Sequence, residues 1–150
     1  MTDFSLTILP YQPADKNQLL TLISLNTPLY FAPEEASDFS QYLDNYVDEY
    51  YVLRNGEQII ACGGINYFPE QSKAHISWDM VHPEHHRKGL GKMLLQFRLD
   101  RIKKRTDIST IIVNTSQLAE AFYAVNGFTK ISEEKDYWAP GIHLVKMLYQ

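Results

Sequence analysis

The stretch Val81-His82-Pro83-Glu84-His85-His86-Arg87-Lys88-Gly89-Leu90-Gly91-Lys92 is the part of the chain densest in groups that could do chemistry. An apolar strand runs into a short loop with two glycines, and a helical period begins at once. The first turn of a helix offers unpaired N–H groups and a partial positive charge. Glycines let the backbone approach an anion closely, and Arg87, Lys88 and Lys92 add positive charge at the same point. Together these features suit a phosphate or pyrophosphate. A tight turn with a solvated basic rim has the same composition. The loop is neither a Walker loop nor a dinucleotide fingerprint, because neither glycine spacing is met.

Other reactive side chains are sparse. His82, His85 and His86 invite a metal reading, but Pro83 prevents the helix that a His-Glu-x-x-His pair requires. His82-Pro83-Glu84 matches half of a zinc deaminase signature, and the Pro-Cys-x-x-Cys half is absent. No metal is expected. Cys62 is the lone cysteine, so neither an internal disulfide nor a cysteine-rich zinc site is possible, and its strand position suits a small core residue. Asp79 is an acid within an apolar strand, where burial is costly unless the group is paired. By alternation Asp79 and Val81 share one face, and Trp78, Met80 and His82 take the other, unless a bulge intervenes.

The elements that must position these groups follow from periodicity. Phe4, Leu6 and Ile8 alternate as a first strand. Pro13 opens a helix that runs to about Ser24, and Glu34 to about Val47 reads as a second. Tyr50–Arg54 and Gln58–Phe68 form a hairpin across Asn55-Gly56, with Gly63-Gly64 as a candidate bulge. Ala74–Val81 is a strand halted by Pro83. A helix from Gly89 to about Arg105 carries a stripe of Leu90, Met93, Leu94, Phe97, Arg101 and Ile102. Lys103-Lys104-Arg105 ends it, where cations suit the helix dipole. Thr110–Asn114 is a buried strand, and Gln117 to about Asn126 a short helix capped by Gly127. Phe128 to about Ser132 and Ile142–Leu148 are the last strands. Mixed helices and strands, with hairpins and one crossover helix, predict an α/β fold with a mixed sheet covered on both faces.

Composition bounds the function. The chain has 150 residues, 45 % of them hydrophobic, which suits one domain with a single core over 1–150. A net charge of −4 makes nucleic acid and anionic membranes poor partners. No apolar run is long enough to span a membrane, and Met1-Thr2-Asp3-Phe4 lacks the basic and apolar regions of a secretory signal. A cytoplasmic protein is expected.

His86-Arg87-Lys88-Gly89-Leu90-Gly91, preceded by Val81 and Pro83, resembles motif A of the GNAT acetyltransferase superfamily, with His86 where Gln or Arg is usual. Ser116-Gln117-Leu118-Ala119-Glu120-Ala121-Phe122-Tyr123-Ala124-Val125-Asn126-Gly127-Phe128 resembles the family's downstream motif, with Ser116 in place of Asn. The two motifs bracket one helix and one strand, as in the family, and the likeness covers roughly residues 50–150. It implies a mostly antiparallel mixed sheet whose central parallel strands splay around acetyl-CoA. Met80 and Val81 would present backbone to the pantetheine, and Ser116, by its side chain, and Ala119 would also contact the cofactor. His86, Arg87, Lys88, Gly89, Leu90, Gly91 and Lys92 would hold the pyrophosphate. The resemblance places Tyr123 as the acid that protonates the departing thiolate. It makes Asp79 the leading candidate base, with His75, His82 and Glu133 behind it. It also implies that a homodimer is possible.

The acceptor would be a primary amine of a small molecule or peptide, held by aromatics near the helix-to-helix loop, the hairpin and the C-terminal loop. Tyr30, Phe31, Tyr67 and Trp138 are the candidates, with Phe68 and Tyr137 beside them. Glu34, Glu35, Asp38, Asp44, Asp48 and Glu49 make the second helix and its end acidic, either as a solvated face or as an attraction for a cation. Two further readings of the chain stay open: an idle acyl-CoA-binding module of the same fold, and a loop that holds some other phosphorylated ligand.

Overall fold

The computed structural model describes residues 5–150; Phe4, expected in the first strand, lies outside them. Seven strands form one sheet in the order β1-β2-β3-β4-β5-β7-β6. They are β1 (Leu6–Pro10), β2 (Glu49–Asn55), β3 (Gln58–Phe68), β4 (Lys73–Val81), β5 (Thr110–Thr115), β6 (Phe128–Ala139) and β7 (Ile142–Tyr149). Four helices accompany them: α1 (Lys16–Leu25), α2 (Glu35–Asn45), α3 (Leu90–Lys103) and α4 (Glu120–Val125). All pairings are antiparallel except β4 with β5, which are joined by the crossover helix α3.

The sheet is covered on both faces, as the alternation of elements requires. On one face α3 and α4 bury Leu94, Leu95, Leu99 and Tyr123 against Ile65, Ala74, Ile76 and Val113. On the other, α1 and α2 bury Leu19, Ile23, Phe39 and Leu43 against Tyr50, Val52, Cys62 and Met80. The buried stripe of α3 is rotated from the expected one. Leu90, Leu94, Leu95, Arg98, Leu99 and Ile102 face the core, while Met93 is exposed and Arg101 sits at the rim, paired with Glu49.

Two strands depart from expectation for physical reasons. β6 continues to Ala139 instead of ending near Ser132, so Tyr137 and Trp138 are strand residues. Its residues from Thr129 to Tyr137 are exposed on an edge strand, which leaves no apolar alternation to read. The ladder between β3 and β4 is irregular at Gly63, as expected, but the extra residue lies on β4. Cys62 pairs with Met80 and Gly64 with Ser77, so Trp78 and Asp79 together oppose Gly63. Trp78 takes a φ of +50°, a conformation that bulky side chains rarely adopt.

That bulge decides where the chemistry goes. Ala74 and Ile76 point to the α3 face, and simple alternation would send Trp78 there next. The extra residue instead turns Trp78 to the α1/α2 face, with Met80, and delivers Asp79 to the α3 face. Beyond the bulge the parallel pair parts. β4 and β5 are in register from Lys73/Thr110 to Ile76/Val113 and no further, although β4 runs on to Val81 and β5 to Thr115.

Gly63 is the residue that permits this packing. A Cβ there would collide with Asp79 Oδ1 and lie 2.7 Å from Nη1 of Arg98. Arg98 is 1 % exposed and has no room to retreat. Gly63→Ala should therefore cost about 2 kcal/mol, in the range of core overpacking. Thermal melting should show a fall in Tm of roughly 4–8 °C.

Candidate active site

The gap between β4 and β5 is a cleft of about 920 Å³. It is lined from both faces of the sheet: Val113, Phe122 and Tyr123 on the α3/α4 side, and Phe31, Cys62 and Trp78 on the α1/α2 side.

At one end stands the glycine loop. Arg87 and Gly89 both have left-handed backbone, with φ of +66° and +78°. Such alternation turns successive N–H groups toward one concavity. Gly89 precedes α3, and no side chain caps the helix there. The first of its bonds is Met93 N–H to Gly89 C=O at 3.0 Å, so the N–H groups of Leu90, Gly91 and Lys92 have no acceptor within the helix. Gly91 lies beneath Phe122, where a Cβ would sit 3.3 Å from the ring. His86, Arg87, Gly89, Leu90, Gly91 and Lys92 all line the cleft, and Lys88 does not.

The His86 side chain acts inside the protein. Its Nε2–H donates to the Val81 carbonyl at 2.9 Å, and its ring packs edge-on against Tyr30. Asn26, buried at the end of α1, donates to the same carbonyl at 3.2 Å and to Leu22 C=O at 2.9 Å. Val81 C=O is thus engaged by two side chains. Asn26 escaped the sequence reading because a polar residue at a helix end is ordinarily a solvated cap.

In the cleft, Tyr123 and Asp79 meet. The Tyr123 hydroxyl donates to Asp79 Oδ2 at 2.5 Å. Arg98 Nη1 pairs with Asp79 Oδ1 at 2.5 Å and donates to Gly64 C=O at 3.0 Å, while its Nε donates to Leu94 C=O at 3.2 Å. Burial and the adjacent Asp79 carboxylate push the Tyr123 pKa well above 10.0, so the phenol stays protonated. Burial opposes the Arg98 charge, but Asp79 outweighs it and the pKa moves up. The sequence offered one signal for Arg98, its spacing of four from Leu94 and Ile102 on α3.

The remaining predicted site residues divide cleanly. Met80, Val81, Ser116 and Ala119 line the cleft. The Ser116 hydroxyl accepts from Leu118 N–H at 3.3 Å, so it steadies the turn into α4. Tyr30, Phe31 and Trp138 also line it, and Trp138 donates from Nε1 to Thr115 C=O. Tyr67 does not. It lies at the far end of β3, where the Arg105 guanidinium stacks 4.0 Å from its ring centre and Asp48 accepts from its N–H. Of the lesser base candidates, His75 lines the cleft but His82 and Glu133 do not. His82 Nδ1 accepts from Glu84 N–H, and Glu133 pairs with Lys130. Among the described residues no cluster of three metal-ligating side chains occurs, and no helix is long and apolar enough to cross a membrane.

Residues 30–150 match the family model described as the acetyltransferase (GNAT) domain. The chain belongs to the GNAT acetyltransferase family. Solved GNAT structures superpose over nearly its whole length. The ribosomal-protein-S18-alanine N-acetyltransferase of Escherichia coli is 17 % identical with a TM-score of 0.79, over 96 % of this chain and 92 % of that one. Ard1 of Thermoplasma volcanium is 15 % identical with a TM-score of 0.79, over 96 % of each chain. An aminoglycoside 6'-N-acetyltransferase complexed with coenzyme A is 13 % identical with a TM-score of 0.75, over 95 % of each. At these identities the likeness is one of fold. No curated protein sequence matches the chain.

For this GNAT domain, the buried pair yields a direct test. Arg98→Met leaves Asp79 with an unbalanced charge and should destabilise by about 3–5 kcal/mol. Adding Asp79→Asn to that variant should recover at least about 1 kcal/mol, as coupled neighbours do. Urea unfolding of the two single variants and the double variant measures it.

Proposed function

We propose that the protein is an N-acetyltransferase that passes the acetyl group of acetyl-CoA directly to a primary amine of a small molecule or peptide. The observation that carries this reading is the union, in one cleft, of an anion-shaped loop and a buried tyrosine hydroxyl between two parting parallel strands. The residues fit the donor. The loop amides of 90–92, with Arg87 and Lys92, offer a cradle for a pyrophosphate, and Gly91 keeps it open beside Phe122. The relative solved with coenzyme A has the same fold.

Acetyl-CoA supplies an activated acyl group and a thiolate leaving group. The chain supplies position and protons. Tyr123, kept protonated by burial and Asp79, can donate to the departing sulfur by turning its one proton away from Asp79 Oδ2. Asp79 and Arg98 fix the phenol's place in the cleft. Cys62 is not a nucleophile on this reading. It is fully buried and its thiol is pushed up to about 12, chiefly by burial, so the reactive thiolate does not form near neutrality. The amine must shed a proton first, to water or to a carboxylate in the cleft. At a lysine-like pKa of about 10.4 this costs about 4–5 kcal/mol at pH 7.

The test is thiol release from acetyl-CoA with a panel of primary amines. Tyr123→Phe should lower kcat about 100-fold, the scale of a lost general acid, with KM for acetyl-CoA within about threefold. If the wild-type protein binds CoA and no amine releases thiol, the idle acyl-CoA-binding module is the better account. Gly89→Val forces a branched side chain into left-handed backbone and should raise the Kd for CoA at least about tenfold. Calorimetric titration with CoA, ATP and NAD would read that loss and show which phosphorylated ligand the loop prefers.

A further inference from the structure

Both oxygens of Asp79 are engaged, one by Arg98 and one by Tyr123. A second acid lines the same cleft. Glu35, the first residue of α2, is 8 % exposed, unlike its neighbour Glu34 on the solvent side. Among the described residues Glu35 has no ion-pair partner. Its Oε2 accepts from the Ala32 N–H at 2.8 Å, across the turn that leads into α2. Burial is the main reason that its pKa is raised, with Asp38 and Glu34 adding to the rise and the Ala32 N–H working against it.

A buried carboxylate without a cation is costly. The cleft that Glu35 lines also carries an aromatic wall. Phe31 stacks on Trp78 with ring centres 6.2 Å apart, and Tyr30 stands next to them in sequence and in the lining. Aromatic faces attract cations and accept apolar bodies. Trp78 is also the bulge residue that adjoins Asp79 in the chain, which ties this wall to the Tyr123 centre.

We propose that Glu35 receives the ammonium group of the acceptor, and that the acceptor is an amine cation with an apolar or aromatic body and no carboxylate beside its nitrogen. The proposal rests on the transferase reading above. A free amino acid is disfavoured because its own carboxylate would be brought against Glu35 in a site shielded from water. A peptide N-terminus or a simple alkyl or arylalkyl amine meets the requirement. The Ala32 bond alone would explain burial of Glu35 but gives no reason for a cation preference, and a glutamine side-chain oxygen can accept the same bond. Glu35→Gln therefore separates the two roles, since it keeps the acceptor and removes the charge.

The experiment follows the fluorescence of Trp78 and Trp138 during titration with phenethylamine, phenylalanine and phenethyl alcohol at pH 7. The wild-type protein should bind phenethylamine at least about tenfold more tightly than either of the others. Glu35→Gln should abolish that preference while Tm and the Kd for CoA stay unchanged. Equal binding of the three probes, or a preference that survives Glu35→Gln, overturns the proposal. Thiol release from acetyl-CoA with the same amine is read in parallel. Cation-selective binding with thiol release from no amine of the panel would sink the transferase reading and leave the ammonium site standing. Thiol release indifferent to Glu35→Gln would do the reverse.

Discussion

A guanidinium buried to 1 % exposure must find a negative partner or be neutralised, and the fold is arranged so that Arg98 meets that condition inside a cleft. Its partner, Asp79, reaches it only because β4 carries one extra residue opposite Gly63. The absence of a Cβ at Gly63 leaves the volume that the pair fills. The same bulge sends Trp78 to the opposite face and coincides with the parting of β4 from β5. Bulge, ion pair, glycine and cleft are one device seen from four sides. Removing any of them disturbs the hydroxyl of Tyr123, which is anchored on the other oxygen of the same carboxylate.

The two ends of the cleft work by different physics. At the loop, the N–H groups of 90–92 lack acceptors within the helix, Arg87 is exposed, and the left-handed residues set the curvature. An anion is met there by dipoles and mobile cations, which suits a ligand that must also leave. Tyr123 and Arg98 are buried, and both are tied to Asp79. There the electrostatics are fixed before any ligand arrives. His86 and Asn26 join the two regions by gripping the last carbonyl of β4 from the loop and from α1.

Much of this was legible in the sequence because it depends on local rules. The strand-loop-helix with Gly89 and Gly91 declares itself through glycine and charge, and the downstream run ending in Gly127-Phe128 through its cap. The order of elements follows from period alone. The unread parts are those where tertiary contacts override local pattern. Arg98 occupies a core position that charge normally forbids, so the apolar period of α3 points to Met93, which the fold exposes. The latter half of β6 carries Glu133, Glu134, Lys135 and Asp136 without apolar alternation, because an edge strand has no buried face to mark. Tyr67 matched its fellow aromatics in type, yet the length of β3 carries it to the far end of the sheet. Glu35 was indistinguishable from the acids around it until the packing of α2 set it against the cleft.

The cleft is bordered by residues from both faces of the sheet, with Phe122 and Tyr123 on one and Phe31 and Trp78 on the other. The sheet therefore does not partition the molecule here: side chains that strand alternation sends to opposite faces border one common space.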